Sequence, residues 1–157
     1  MQERKLNRLS GYDYSAAGAY FITVCVKNMV STFGEIIKDS MELNELGKIV
    51  NHTWVDLPNH YKNIELSEFV IMPNHVHGII HIIENKITPA KSLSEVIRGF
   101  KTFSSRRINE TNPKEKFQWQ KSYYDRIIRN EREYSLIQTY IINNPINWNK
   151  ELILPTT

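Results

Sequence analysis

A single cysteine in 157 residues leaves Cys25 without an intrachain partner, which excludes a disulfide framework and a thiolate zinc cluster. Cys25 alternates with Val24 and Val26 in an apolar run, the setting of a small buried side chain. No apolar stretch approaches the length of a membrane span. The first ten residues, MQERKLNRLS, are polar and basic and lack the apolar centre of a signal peptide. The expectation is a cytoplasmic protein with no membrane partner. Strong charge of one sign is missing too: a net charge of +3 neither requires nor excludes nucleic acid. There are no internal repeats, low-complexity tracts or linkers. What is present, 41% hydrophobic and 24% charged residues, is the balance of an ordinary globule. Residues 1–157 are expected to form one domain able to bury its own core.

Residues 19–27 are rich in β-branched and aromatic side chains and read as a strand, with 33–37 as a short strand partner. Leu43, Leu46, Val50, Trp54 and Leu57 recur at helical spacing, and Pro58 closes that run. Residues 64–72 and 75–83 are apolar-rich segments joined by Pro73-Asn74, a pattern that predicts an antiparallel hairpin. Ser92 with Glu95 forms a capping box, and Leu93, Val96, Ile97 and Phe100 mark a second helix that fades near Asn109. Residues 111–113 form a loop and 118–128 read as extended. Asn130 and Glu133 cap a final helix that runs to Asn144, where Pro145 disfavours continuation. The order of elements gives an α+β class: a ferredoxin-like βαββαβ antiparallel sheet with an appended C-terminal helix carrying Tyr140. That fold serves many unrelated tasks and assigns no function by itself.

The run MPNHVHGIIHII is more specific. On a strand alternate side chains share a face, so His75 and His77 present two imidazoles on one side, roughly 6 to 7 Å apart at Cα. That spacing suits one metal ion. Val76, Gly78, Ile80 and Ile82 point the other way as an apolar face. His81 shares the histidine face but lies about 13 Å from His77, too far for the same ion, and reads as structural or substrate-facing. His52 and His60 have no functional spacing. On the last helix Tyr134, Ile137 and Ile141 form an apolar stripe, and Tyr140 and Asn144 sit four residues apart on its flank. The bland alternatives remain open at this point: two hydrogen-bonded histidines, a tyrosine at a core edge, and an asparagine that ends a helix.

A His-hydrophobic-His strand followed by one tyrosine on a late helix resembles the HUH endonucleases, specifically the single-tyrosine transposases of the REP-associated type. The parts that carry the resemblance are RLSGYDYSAAGAYFITVCV, FVIMPNHVHGII, and WQKSYYDRIIRN leading into YIINNPINW, spread over almost the whole chain. The resemblance implies that Tyr140 is the nucleophile and that Asn144 is the third metal ligand beside His75 and His77. Some family members have glutamine at the third position, and asparagine is one methylene shorter. Two imidazoles and an amide oxygen leave positions open on Mg²⁺ or Mn²⁺ for phosphate oxygens and water. A phenol holds its proton at neutral pH, so attack needs the nearby metal or a water-relayed base. The expected outcome is cutting and rejoining of single-stranded or hairpin DNA through a 5′-phosphotyrosine with release of a 3′-OH. Relatives commonly work as homodimers, which adds that expectation.

Positive charge concentrates in residues 91–132. Arg98, Lys101, Arg106 and Arg107 on the second helix suit a DNA backbone, or else form a solvated helix face. Trp119, Tyr123, Tyr124 and Arg126 suit stacking on unpaired bases and phosphate contact, and Tyr123 and Tyr124 are also rival nucleophiles. Against the transposase stand a non-catalytic hairpin DNA-binding module and a structural metal-bound regulator. The latter is disfavoured because structural zinc sites usually close all four positions with protein ligands.

Overall fold

The computed structural model describes residues 17–83 and 91–149. The polar N-terminal segment and residues 8–16 of the first motif lie outside them, as do parts of the 1–157 span expected as one domain. In chain order the elements begin with strands β1 (Gly18–Cys25), β2 (Gly34–Ile37) and β3 (Ser40–Leu43). Helix α1 (Glu45–Val55) and a single turn, α2 (Leu57–His60), come next. Strands β4 (Ile64–Ile71) and β5 (His75–Ile82) lead into α3 (Leu93–Thr111), β6 (Tyr124–Ile128) and α4 (Glu131–Ile142).

The main sheet has the order β4-β5-β1-β6, with each neighbouring pair antiparallel. This is the ferredoxin-like arrangement with α4 appended. Alternation along β1 and β5 divides the packing. Tyr20, Ile22 and Val24 join Val76, Ile80 and Ile82 in the larger core, against Val50 and Trp54 of α1 and Val96, Ile97 and Phe100 of α3. The intervening residues Phe21 and Ile79 face the other way and pack on Ile137 and Ile141 of α4. The sheet is therefore covered on both sides, and α3 and α4 lie on opposite faces. Gly78 is needed on the larger core's side, because a Cβ there would stand 2.4 Å from Cζ2 of Trp54.

β4 shows how one extra residue builds the second face. Its register against β5 shifts between Leu66 and Phe69, a bulge that reverses the alternation. Ile64, Leu66, Phe69 and Ile71 consequently all meet the larger core. The two residues at the bulge, Ser67 and Glu68, both reach α4: Ser67 Oγ is hydrogen-bonded to Tyr134 Oη, and Gln138 Nε2 donates to Glu68 Oε1 at 3.0 Å.

Several boundaries differ from the sequence expectation. Residues 33–37 do not partner β1; β2 pairs with β3 in a separate two-stranded sheet. The turn between them is made by Lys38 and Asp39, both at positive φ (50° and 63°). These are not the glycine or asparagine that usually signal such a turn. The first helix starts at Glu45 behind the N-cap Asn44. Pro58 does not terminate it but occupies the first turn of α2, where a missing N–H costs nothing. α3 opens on the expected Ser92–Glu95 capping box and runs to Thr111. In the segment 118–128 only Tyr124–Ile128 is a strand, preceded by an isolated bridge between Val26 and Trp119.

Asn130 caps α4 as expected, its side chain accepting from Glu133 N at 2.9 Å. The Glu133 carboxylate reaches one residue further back, accepting from Arg129 N and, at 3.3 Å, from Arg126 Nη2. Those hydrogen bonds, the one from Arg129 N foremost, hold its carboxyl below the ordinary glutamate range. A depressed carboxylate contributes stability that is present above its unfolded pKa, about 4.3, and is lost as pH falls through the folded value. Glu133→Gln is expected to lower stability at pH 7 by roughly 1 to 3 kcal/mol. The gap from wild type should close as pH drops below about 4, in urea melts run at pH 7, 5 and 3. A pH-independent gap would contradict the charge-based account.

Candidate active site

The site forms where the start of β5 meets the end of α4. His75 and His77 pair across the ladder with Cys25 and Thr23 of β1, and their ring centroids are 4.5 Å apart at 73°. Each ring has its Nδ1 engaged. Asn74 Oδ1 lies 2.7 Å from Nδ1 of His75, and Thr23 Oγ1 lies 2.8 Å from Nδ1 of His77. Asn74 is held in turn, donating through Nδ2 to Met29 O at 3.2 Å. Aromatic rings back both imidazoles: Phe21 stacks on His77 at 5.3 Å and Trp148 on His75 at 6.3 Å.

α4 supplies the rest. The Tyr140 ring meets His77 at 5.4 Å and Phe21 at 6.1 Å, edge-on to both. Asn144 lies just past the helix, which ends at Ile142 rather than at Asn144, since the residue before a proline avoids helical geometry. Asn144 nevertheless keeps its place beneath Tyr140 by donating through Nδ2 to Tyr140 O at 3.2 Å. Its side chain is also hydrogen-bonded to His75. One chain thus brings His75, His77, Tyr140 and Asn144 together.

Burial sets the protonation of the pair. Desolvation pushes His75 down to about 4, against the hydrogen bond with Asn144, which pulls the other way. His77 is driven well below its ordinary value by burial and by the neighbouring His75, with a hydrogen bond from its ring to the Ile22 backbone opposing. Both imidazoles are therefore neutral at pH 7 and keep lone pairs for a cation. Two neutral nitrogens and an amide side chain fit a divalent ion that retains open positions.

His81 is on the same face as expected, but its Nε2 is engaged by Tyr134 Oη at 3.1 Å. It belongs to the pins that hold α4 and not to the cluster. Cys25 is buried as expected, and burial raises its thiol to about 11.

The residues read as DNA-binding divide into two groups. Arg98 and Arg106 are exposed along α3, and Tyr124 is 38% exposed. Trp119 and Tyr123 are core residues, 7% and 5% exposed, which corrects the base-stacking reading for both. The indole of Trp119 donates to Ser104 Oγ at 2.9 Å, and Tyr123 Oη is hydrogen-bonded to Ser94 at 3.1 Å. The same burial removes Tyr123 as a rival nucleophile. Lys101 Nζ donates to the carbonyls of Gln120 and Ser122, and Arg107 Nη1 to Thr53 Oγ1. Both cations brace the fold. Arg126 is paired with Glu133. Thr23, Asn74 and Trp148 are site residues that the sequence pattern does not single out. Trp148 stands in the YIINNPINW motif, whereas Thr23 gives no signal until its strand partner is known.

No helix among the described residues is long and apolar enough to cross a membrane. An uncharacterized protein of Haemophilus influenzae is 39% identical over 171 aligned residues, covering 96% of this chain and 93% of the relative. Among solved structures, a REP-associated tyrosine transposase bound to a REP hairpin superposes with a TM-score of 0.64 at 20% identity. That match covers 94% of this chain and 74% of the other. A candidate transposase from Deinococcus radiodurans gives a TM-score of 0.54 at 20% identity over 87% of this chain and 95% of its own. These two likenesses carry the fold. The family model for IS200-like transposases matches residues 20–144, from the first strand of the sheet through Tyr140 to Asn144, and the chain belongs to that family of DNA-cleaving enzymes.

Proposed function

We propose that this transposase cuts and rejoins single-stranded DNA beside a hairpin, with Tyr140 as nucleophile and a divalent ion, Mg²⁺ or Mn²⁺, held by His75, His77 and Asn144. The observation that carries this reading is the meeting of a phenol and an amide side chain with two neutral, buried imidazoles whose Nδ1 atoms are already engaged, with Nε2 the coordinating atom of each ring in this reading. The bound ion would neutralise charge on the scissile phosphate. The chain's residues do the remainder. Tyr140 Oη forms a bond to phosphorus as the bond from phosphorus to the 3′ oxygen breaks. The phenolic proton leaves to solvent, and the 3′ oxygen takes one up as a free 3′-OH. The 5′-phosphotyrosine retains the phosphodiester, so attack by a 3′-OH reverses the step without a nucleotide cofactor.

Phe21, Ile137 and Ile141 keep water from one side of Tyr140 and fix its ring. Of the residues read as DNA-binding, Arg98, Arg106 and Tyr124 are the exposed ones. A homodimer, which the family resemblance suggests, would join two complete sites, because the tyrosine helix docks on its own sheet. The hairpin preference is supported by the REP hairpin bound to the structural neighbour. A non-catalytic hairpin binder of the same fold gives no reason for a tyrosine against paired neutral histidines.

Tyr140→Phe should abolish the covalent protein-DNA adduct formed with a hairpin oligonucleotide and Mn²⁺, seen as a shifted band on a denaturing gel, while oligonucleotide affinity changes less than about twofold. An adduct that persists in Tyr140→Phe and disappears in Tyr124→Phe would move the nucleophile to β6. His75→Ala and His77→Ala should each eliminate Mn²⁺ binding in calorimetry. Thr23→Val should weaken it about 10- to 100-fold, by analogy with outer-shell partners elsewhere, and His81→Ala should leave it near wild type. Equal losses in all four variants would mean that the face is only structural. For the substrate, a hairpin with a single-stranded flank should bind more tightly than a blunt duplex of equal length, with affinity falling as salt rises. Identical salt titrations for the two would leave only general DNA binding.

A further inference from the structure

We propose that Trp148 is a stacking platform for an unpaired DNA base next to the scissile phosphate. The proposal rests on the reading that His75, His77 and Tyr140 act on single-stranded DNA, and it adds a base-binding site that the cluster does not itself contain. Of the three tryptophans, Trp54 is fully buried and Trp119 is 7% exposed in the core. Trp148 is different: it is half-buried and, among the described residues, belongs to neither apolar cluster. It sits in the turns after α4, with its backbone N–H donating to Pro145 O at 3.3 Å.

The orientation of the ring points to a ligand. Its indole lies 24° from parallel to His75 at 6.3 Å, a mirror of the 24° stack of Phe21 on His77. Phe21 is 4% exposed, and its stack is core packing. Trp148 keeps part of its surface in solvent while standing at the same cluster. A base and its own phosphate are one sugar apart, on the scale of the distance from His75 to the indole. A phosphate over the histidines therefore brings a neighbouring base within reach of Trp148. Stacking tolerates any base, which suits a platform that holds the strand while other contacts choose the sequence. An unpaired base can swing onto the ring, whereas a base inside a duplex must first be unstacked.

The test uses the full chain with Mn²⁺ and a hairpin oligonucleotide whose single-stranded flank carries an abasic site at each position in turn. Affinity is read by fluorescence anisotropy. In the wild type one abasic position should weaken binding roughly 5- to 150-fold. Trp148→Phe should keep most of that penalty, and Trp148→Ala should erase it at that position alone. If Trp148→Ala forms the adduct and keeps the abasic penalty, the platform is overturned while the catalytic reading stands. A drop in Mn²⁺ affinity in that variant with the abasic profile intact would also overturn it and leave Trp148 as a support for His75. A Trp148-dependent penalty in a wild-type chain that binds no Mn²⁺ and forms no adduct would establish the platform and sink the catalytic reading.

Discussion

Everything at the site depends on α4 covering the histidine face of the sheet. Ile137 and Ile141 settle on Phe21 and Ile79, with Ala19, Val70, Ile128, Tyr134 and Tyr140 around them. That contact does two things at once. It carries Tyr140 to His77, and it takes the imidazoles out of water. A histidine pair on an open strand face would titrate near pH 6.5 and lose lone pairs to protons in mild acid. Under α4, burial is the largest influence on both rings and keeps them neutral. The same hydrophobic contact therefore sets position and protonation state together.

An apolar stripe alone leaves a helix free to slide or roll by a fraction of a turn, because such contact is not directional. Directional bonds remove that freedom. Tyr134 is tied to Ser67 and to His81, and Gln138 to Glu68. Ser67 and Glu68 are adjacent in sequence, and adjacent residues of a regular strand point to opposite faces. Only the bulge in β4 lets both serve α4. The polar pins and the Glu133 carboxylate at the N-terminus fix the helix from its first turn onward. Tyr140 and Asn144, at its far end, inherit that placement.

Most of this was legible wherever the signal was local. Alternation in β5 separates Val76, Ile80 and Ile82 from His75 and His77, and the structure keeps them apart. Ser92 with Glu95, Asn130, and Pro73-Asn74 each mark a boundary by their own chemistry. Misreadings arose where the decisive partner lies far along the chain. Trp119 and Tyr123 sit among lysines in sequence and look exposed, yet each finds a hydroxyl on α3, Ser104 and Ser94, that satisfies its polar atom inside the core. Lys101 and Arg107 counted as surface charge, but long side chains reach inward carbonyls and hydroxyls. The β4 bulge had a trace in the sequence: the apolar spacing of two lengthens to three between Leu66 and Phe69.

Under the proposed function, the division of the sheet also constrains the path of DNA. Arg98 and Arg106 stand on α3, on the opposite face from Tyr140. A molecule touching both must pass around an edge or end of the sheet. One such end lies near the site, where Gln120 N bonds to Cys25 O and Cys25 pairs with His75. Duplex DNA is stiff on this scale, with a persistence length of about 150 base pairs, and a sharp turn around a single domain would be costly. A single strand turns at far smaller cost. Under the proposed function, a strand that touches both the α3 cations and Tyr140 would therefore be unpaired where it crosses the site.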